Sequence, residues 1–182
     1  MHRPAIMGIT GRSGAGKTTL IVRLLPELRQ RGLRVSTIKH AHHGFDIDRP
    51  GKDSHRHRQA GAHEVMVATA DRWALLHERV DEAEPALPDL IARMAPADLI
   101  LVEGFRGSLP VAIEIHRPAI GKDPLWPDTA AIVAVATDTR PGLPPHLPAG
   151  LARLDLADVP AIADFVTAHA RPCPVPYPAG RA

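Results

Sequence analysis

The sequence predicts an α/β fold: a mostly parallel central sheet flanked by helices, with one β-hairpin added. Three observations predict it. Short apolar runs alternate with segments of helical periodicity. The first strand, glycine-rich turn, helix and second strand follow in immediate succession, which is a βαβ unit with a right-handed parallel crossover. The run Leu99–Val102 is apolar throughout, the pattern of a strand buried on both faces. The length of 182 residues fits one domain, expected over residues 1–170, with a Pro-rich tail over 171–182.

In chain order, Ala5–Thr10 reads as a buried strand. Thr18–Arg31 has apolar residues at Leu20, Ile21, Leu24, Leu25 and Leu28, a helical spacing that Gly32 would stop. Pro26 inside it predicts a kink or a break. Arg34–Ile38 is the second strand. A polar His- and Asp-rich loop covers His40–Lys52, and a short helix capped by Asp53 or Ser54 runs to Ala60 and ends at Gly61. Glu64–Ala68 and Trp73–His77 read as a hairpin, with Trp73 expected in the core. Pro88–Met94 is a short helix, Asp98–Val102 a central strand and Val111–Ile115 another strand. Next come a loop over His116–Asp128, which holds Trp126, and a last central strand over Ala130–Ala136. A helix over Val159–His169 closes the fold. Everything after Arg171, including the only cysteine, Cys173, is expected to be a solvated polyproline-like tail.

Composition narrows the function. No apolar run is long enough for a membrane span, and the N-terminus lacks a signal-peptide pattern, so a cytoplasmic, non-membrane chain is expected. One cysteine excludes an internal disulfide and any cysteine-cluster metal site. Residues 1–63 carry 12 Lys/Arg against 4 Asp/Glu, and the remainder 10 against 16, so the basic first third predicts an anionic ligand. Lysine is scarce, 4 against 18 arginines, and Lys17, Lys39 and Lys52 all fall in that third.

Gly11-Arg12-Ser13-Gly14-Ala15-Gly16-Lys17-Thr18 matches G-x-x-x-x-G-K-[ST] in full, between a strand and a helix as the motif requires. Glycines let backbone N–H groups converge on a phosphate. The helix start adds unpaired N–H groups and a positive dipole end. Lys17 supplies a point charge to the β/γ-phosphates, and the Thr18 hydroxyl can ligate Mg²⁺. The acid that completes such a site ends a central strand, and Glu103, after Leu99–Val102, is that candidate for Mg²⁺, directly or through water.

The loop after the second strand leaves the carboxyl edge of the sheet, where ligands bind. Lys39, Lys52, Arg56 and Arg58 suit an anion there, and Asp46, Asp48 and Asp53 suit Mg²⁺ or an attacking water. His40, His42 and His43 invite a metal reading, but their spacing matches no structural zinc pattern.

Six segments together resemble the MobB family of GTP-binding adapters. They are Gly11–Thr19, Ile38-Lys-His40, Pro50-Gly-Lys-Asp-Ser54, Arg56-His-Arg58, Ala60-Gly-Ala62 and Leu101-Val-Glu-Gly-Phe-Arg106. The resemblance covers roughly residues 4–138. It implies a P-loop GTPase fold, weak GTP hydrolysis and a homodimer. It also implies work with a MobA-type molybdenum cofactor guanylyltransferase on molybdopterin. By position it puts Gly11–Thr19, Thr19 included, on the phosphates and makes 39–54 the region that changes with nucleotide state. Arg106 stands where the family often has Lys.

The Asn-Lys-x-Asp guanine motif is absent. Thr137-Asp138, after a late strand, is the nearest equivalent: Asp138 can accept from guanine N1–H and N2–H, and equally suits a strand-ending turn. GTP as ligand therefore rests mainly on the resemblance. For hydrolysis, Lys17 and Mg²⁺ would stabilise charge while Asp48, or second Asp53, positions water. Three rivals share features. A small-molecule kinase would need an Arg-rich lid, yet only three arginines follow Arg140. A metal-delivery GTPase would need a metal-site cysteine. Nucleic-acid binding lacks aromatic platforms at 3% aromatic content.

Overall fold

The computed structural model describes residues 3–41, 46–79, 83–138 and 147–173. The chain forms two compact units, Met1–His40 with Ala86–Ala182, and Ala41–Pro85.

The larger unit is built on a parallel sheet. Its strands are β1 (Ala5–Thr10), β2 (Val35–Lys39), β5 (Leu99–Glu103), β6 (Ala112–Ile115), β7 (Ile132–Thr137) and β8 (Ala152–Asp155), in the order β2-β5-β1-β6-β7-β8. Side chains alternate across it. Met7, Ile9, Leu99, Leu101, Ile113 and Ile115 bury on one face with helices α1 (Lys17–Gln30) and α4 (Val159–His169). Ile6, Ile100, Val102 and Ala112 bury on the other with Leu87 and Ile91 of the short α3 (Leu87–Ala92). β1 and β5 are central and almost wholly buried, so their apolar runs are continuous rather than alternating.

Helix α1 buries Leu20, Ile21, Leu24 and Leu28, each worth about 1.5–3 kcal/mol of transfer free energy. It ends in a Schellman turn: the Gly32 N–H donates to Arg29 and the Leu33 N–H to Leu28. Arg31 ties it to α4 by donating to Asp164 and the Pro160 carbonyl. Asp158 caps α4 by accepting from the Ala161 N–H at 3.0 Å.

Several expectations need correction here. Pro26 does not break α1, which runs on through it. Pro26 sits on the solvent side, so water can take the Val22 carbonyl that proline leaves without a donor. β7 is the last central strand as expected, but a further strand, β8, pairs with it in parallel and has no counterpart in the sequence reading. β8 lies at the sheet edge, where half-buried Ala152 and Leu154 alternate with exposed Arg153 and Asp155. Nor is the chain solvated immediately after Arg171. Arg171–Pro172 pair antiparallel with Ile6 and Ala5 as β9, the Cys173 N–H donates to Pro4, and Cys173 is fully buried among apolar side chains. A proline is tolerated at that short edge pairing. The expected tail from residue 174 onward lies outside the described residues.

The smaller unit holds α2 (Asp53–Gln59) and the hairpin of β3 (Glu64–Ala68) and β4 (Trp73–His77), paired Glu64 with His77 through Ala68 with Trp73. Trp73 is not in a core: it is 65% exposed and shares a hairpin face with exposed Met66 and Leu75. Only Val65 of the hairpin is buried.

Candidate functional site

The loop Gly11–Gly16 joins the carboxyl end of β1 to the start of α1. Gly11 adopts φ +140°, and a Cβ there would lie 2.4 Å from the Ile115 carbonyl oxygen, so only glycine lets the loop turn this close to β6. Inside the loop the Ala15 N–H donates to Arg12. Among the described residues, the N–H groups of Gly14, Gly16, Lys17, Thr18 and Thr19 find no protein acceptor. With no acidic residue in the first turn of α1, this is a positive cradle shaped for an anion.

Lys17 folds back over the loop, and its Nζ donates to the Gly11 carbonyl at 3.0 Å and the Arg12 carbonyl at 3.2 Å. Partial burial lowers its pKa, opposed by Glu103 and reinforced by Lys39 and Arg106. An arriving phosphate would reverse that penalty. Arg12 is anchored by its Nε, which donates to the Asp123 carbonyl at 3.0 Å.

Glu103 ends β5 in register with Ile9 of β1 and Lys39 of β2, so two neighbouring strands fix its position. Its Oε2 is 3.3 Å from the Thr18 hydroxyl. Adjacent oxygens of an octahedral Mg²⁺ shell stand about 2.9 Å apart, from Mg–O distances of about 2.0–2.1 Å. A few tenths of an ångström would bring the two into one shell, and hydroxyl plus carboxylate is the hard-oxygen donor set that Mg²⁺ prefers. Gly104 follows at φ +95°, and a Cβ there would meet the His40 Cβ at 2.6 Å. His40 in turn donates its backbone N–H to Glu103 and packs its ring on Phe105, 4.7 Å between centroids.

On the other side of the loop, Thr137 is buried at the end of β7 and Asp138 is half-exposed just beyond it. Arg117, in the segment after β6, links Asp138 to the phosphate loop: it donates to Asp138 and to the Ala15 carbonyl. Arg117 belongs to no sequence motif. The available signal was an arginine two residues beyond a strand whose carboxyl end points to the site. Glu114, a fully buried carboxylate on β6, likewise belongs to no motif. Glu114 accepts the N–H groups of Leu125 and Trp126 at 2.9–3.0 Å and so pins the segment that carries Asp123. Burial raises its pKa against the pull of these bonds and of Arg12 and Arg106. Trp126 is a packed loop residue, edge-on to buried His116, whose pKa burial lowers.

Asp48 and Asp53 belong to the smaller unit. Asp48 accepts from Ser54 at 2.7 Å and from the Arg49 N–H, with its second oxygen buried 3.6 Å from Arg58. Arg58 also pairs with Asp46 and Glu78, which holds the loop to the hairpin. Asp53 opens α2. His42 and His43 lie outside the described residues, and no group of three or more His, Cys, Asp or Glu able to hold a metal ion occurs among the described ones.

A parallel sheet in this order, a glycine loop leading into α1 and a strand-ending acid beside Thr18 define a P-loop nucleotide-binding fold. The family model for MobB, molybdopterin guanine dinucleotide synthesis protein B, matches residues 6–138, and the chain belongs to that family. It is 44% identical to the molybdopterin-guanine dinucleotide biosynthesis adapter protein of Escherichia coli, over 88% of this chain and 90% of the relative. It is 41% identical to the Haemophilus influenzae protein of the same name, over 88% and 86%. Among solved structures, Bacillus subtilis MobB superposes with a TM-score of 0.72 at 25% identity, covering 92% of this chain and 98% of that one. No helix among the described residues is long and apolar enough to cross a membrane.

Proposed function

We propose that this protein is a GTP-binding adapter in molybdopterin-guanine dinucleotide biosynthesis. It binds GTP with Mg²⁺, hydrolyses it slowly, and assists a MobA-type guanylyltransferase in joining GMP to molybdopterin. The observation that carries the nucleotide part is the set of unpaired N–H groups at Gly14 and over Gly16–Thr19, with Lys17 folded onto the loop and Thr18 beside Glu103. The adapter part rests on the family and on the relatives at 44% and 41% identity.

In this reading the backbone of Gly11–Thr19 cradles the phosphates, and Lys17 leaves its two carbonyls to meet the β/γ oxygens. Thr18 and Glu103 would hold Mg²⁺, whose chemistry there would be neutralisation of charge on the phosphates. Asp48, with Asp53 second, orients water, and turnover is slow because the His40–Lys52 loop holds no glutamine to share that task. The protein acts in the cytoplasm as a homodimer. The exposed hairpin face of Met66, Trp73 and Leu75 supports a partner surface, since contiguous apolar exposure of this kind usually marks one.

The test is co-purification of the full chain with the guanylyltransferase, with and without GTP and Mg²⁺. Retention, stronger with GTP, is expected. No interaction under either condition would overturn the adapter reading while leaving nucleotide binding to be judged by itself.

A further inference from the structure

We propose that Arg117, acting with Asp138, sets the choice of purine base. The inference rests on the nucleotide-binding reading and adds a residue and a mechanism to it.

Arg117 Nε donates to the Ala15 carbonyl of the phosphate loop at 3.0 Å, and its Nη1 donates to Asp138 Oδ2 at 2.6 Å. The guanidinium is planar and rigid, so one side chain fixes the spacing between the phosphate anchor and a carboxylate at the end of β7. The second bond is short and joins full charges, which is the stronger kind. The side chain also lies against Gly16, the first residue before α1: a Cβ there would stand 3.6 Å from both Nε and Nη2.

The pair is not used up by these contacts. A guanidinium has five N–H groups, and a carboxylate has about four acceptor positions. Arg117 spends one N–H on each partner, and Asp138 accepts no other hydrogen bond among the described residues. A donor and an acceptor therefore stand side by side at the carboxyl edge of the sheet. Guanine presents a matching edge, with O6 as acceptor and N1–H and N2–H as donors. Adenine reverses it, with an amino group in place of O6 and a bare N1. Asp138 by itself would read only the donor half. Arg117 supplies the other half and holds the carboxylate where it can read, so the wrong base leaves the remaining Arg117 N–H groups and Asp138 acceptor positions unmatched.

A plain brace for the loop predicts something different. Loss of Arg117 would then weaken every nucleotide alike, because the phosphates are common to all of them.

The experiment is equilibrium titration of the full chain with the magnesium complexes of GTP, ITP and ATP. The chains compared are wild type, Arg117→Ala, Arg117→Lys, Asp138→Asn and the double variant Arg117→Ala with Asp138→Asn, each checked by circular dichroism. ITP keeps O6 and N1–H but lacks the 2-amino group, so it isolates the reading by Asp138. The preference for GTP over ATP is expected to fall about tenfold or more in Arg117→Ala and in Asp138→Asn, about 1.4 kcal/mol for each tenfold. The double variant should fall no further than the weaker single variant. The preference for GTP over ITP should also fall in Arg117→Ala, since Asp138 loses its orientation. Lysine keeps the charge without the two-ended reach, so Arg117→Lys should stay within about threefold of the alanine variant. Should the alanine variant fail to fold, the lysine variant carries the test, and a wild-type preference in it overturns the inference. Equal weakening of all three nucleotides in Arg117→Ala overturns it, as does a wild-type protein that binds GTP and ATP alike. A wild-type protein that binds no triphosphate overturns the nucleotide reading itself.

Discussion

Replacing Glu114 by alanine tests whether a buried carboxylate organises the segment beside the phosphate loop. The side chain is fully buried, and one of its oxygens accepts both the Leu125 and the Trp126 N–H. Alanine strands both donors, at about 1–3 kcal/mol each, and leaves a cavity. Part of this is offset because burying the charged group is itself unfavourable, so a net loss of roughly 2–4 kcal/mol is expected. Glutamine can keep one oxygen for both donors, but it turns its amino group toward the Leu125 N–H, so a loss of about 1 kcal/mol is expected. Urea unfolding of the three proteins at constant pH measures both. The pH dependence adds a sign. The pKa of Glu114 is raised, so the folded protein binds its proton more tightly than the unfolded chain. This group's stabilisation is therefore full below the ordinary glutamate range and is lost as pH rises through the raised value. Wild-type stability minus that of Glu114→Gln should accordingly shrink with rising pH. An alanine variant within about 0.5 kcal/mol of wild type, or a difference that grows with pH, would refute the reasoning.

Asp48→Ala should spare GTP affinity and lower steady-state phosphate release; unchanged turnover removes Asp48 from water positioning. Gly104→Ala forces a left-handed backbone on alanine and a clash with His40, so thermal unfolding should show a loss of at least about 1–3 kcal/mol. Lys17 is most useful protonated, and its lowered pKa means that nucleotide affinity should decline on the alkaline side, starting below the ordinary lysine range. Calorimetry at high pH in buffers of different ionisation enthalpy should register proton uptake on binding. No uptake there would place Lys17 away from the phosphates.

What the sequence disclosed was whatever depended on neighbours along the chain. The phosphate loop announces itself because its glycines, lysine and threonine must be contiguous. Hairpin bounds and the span of α4 agreed with expectation because alternation and capping are local signals. The place of Glu103 at the end of a central strand was legible because four apolar residues precede it on a strand buried on both faces. Features decided by distant partners were hidden. β8 is an edge strand of mixed polarity that gains its identity from β7, and Pro172 joins the sheet only because β1 offers a free position at its start. Trp73 shows the opposite error: a large apolar side chain on a strand suggests a core, yet its hairpin face stays exposed. Arg117 and Glu114 carry no motif, and their meaning comes from Ala15, Asp138, Leu125 and Trp126, all far away or on other elements.

The central claim is that the loop over Gly11–Thr19 is a working triphosphate site. Isothermal titration of the full chain with GTP and Mg²⁺, beside the Lys17→Ala variant, tests it most directly. One GTP is expected to bind per chain, weakened on chelation of Mg²⁺ and abolished in Lys17→Ala. Equal binding by the wild type and that variant, or none by the wild type, would contradict it.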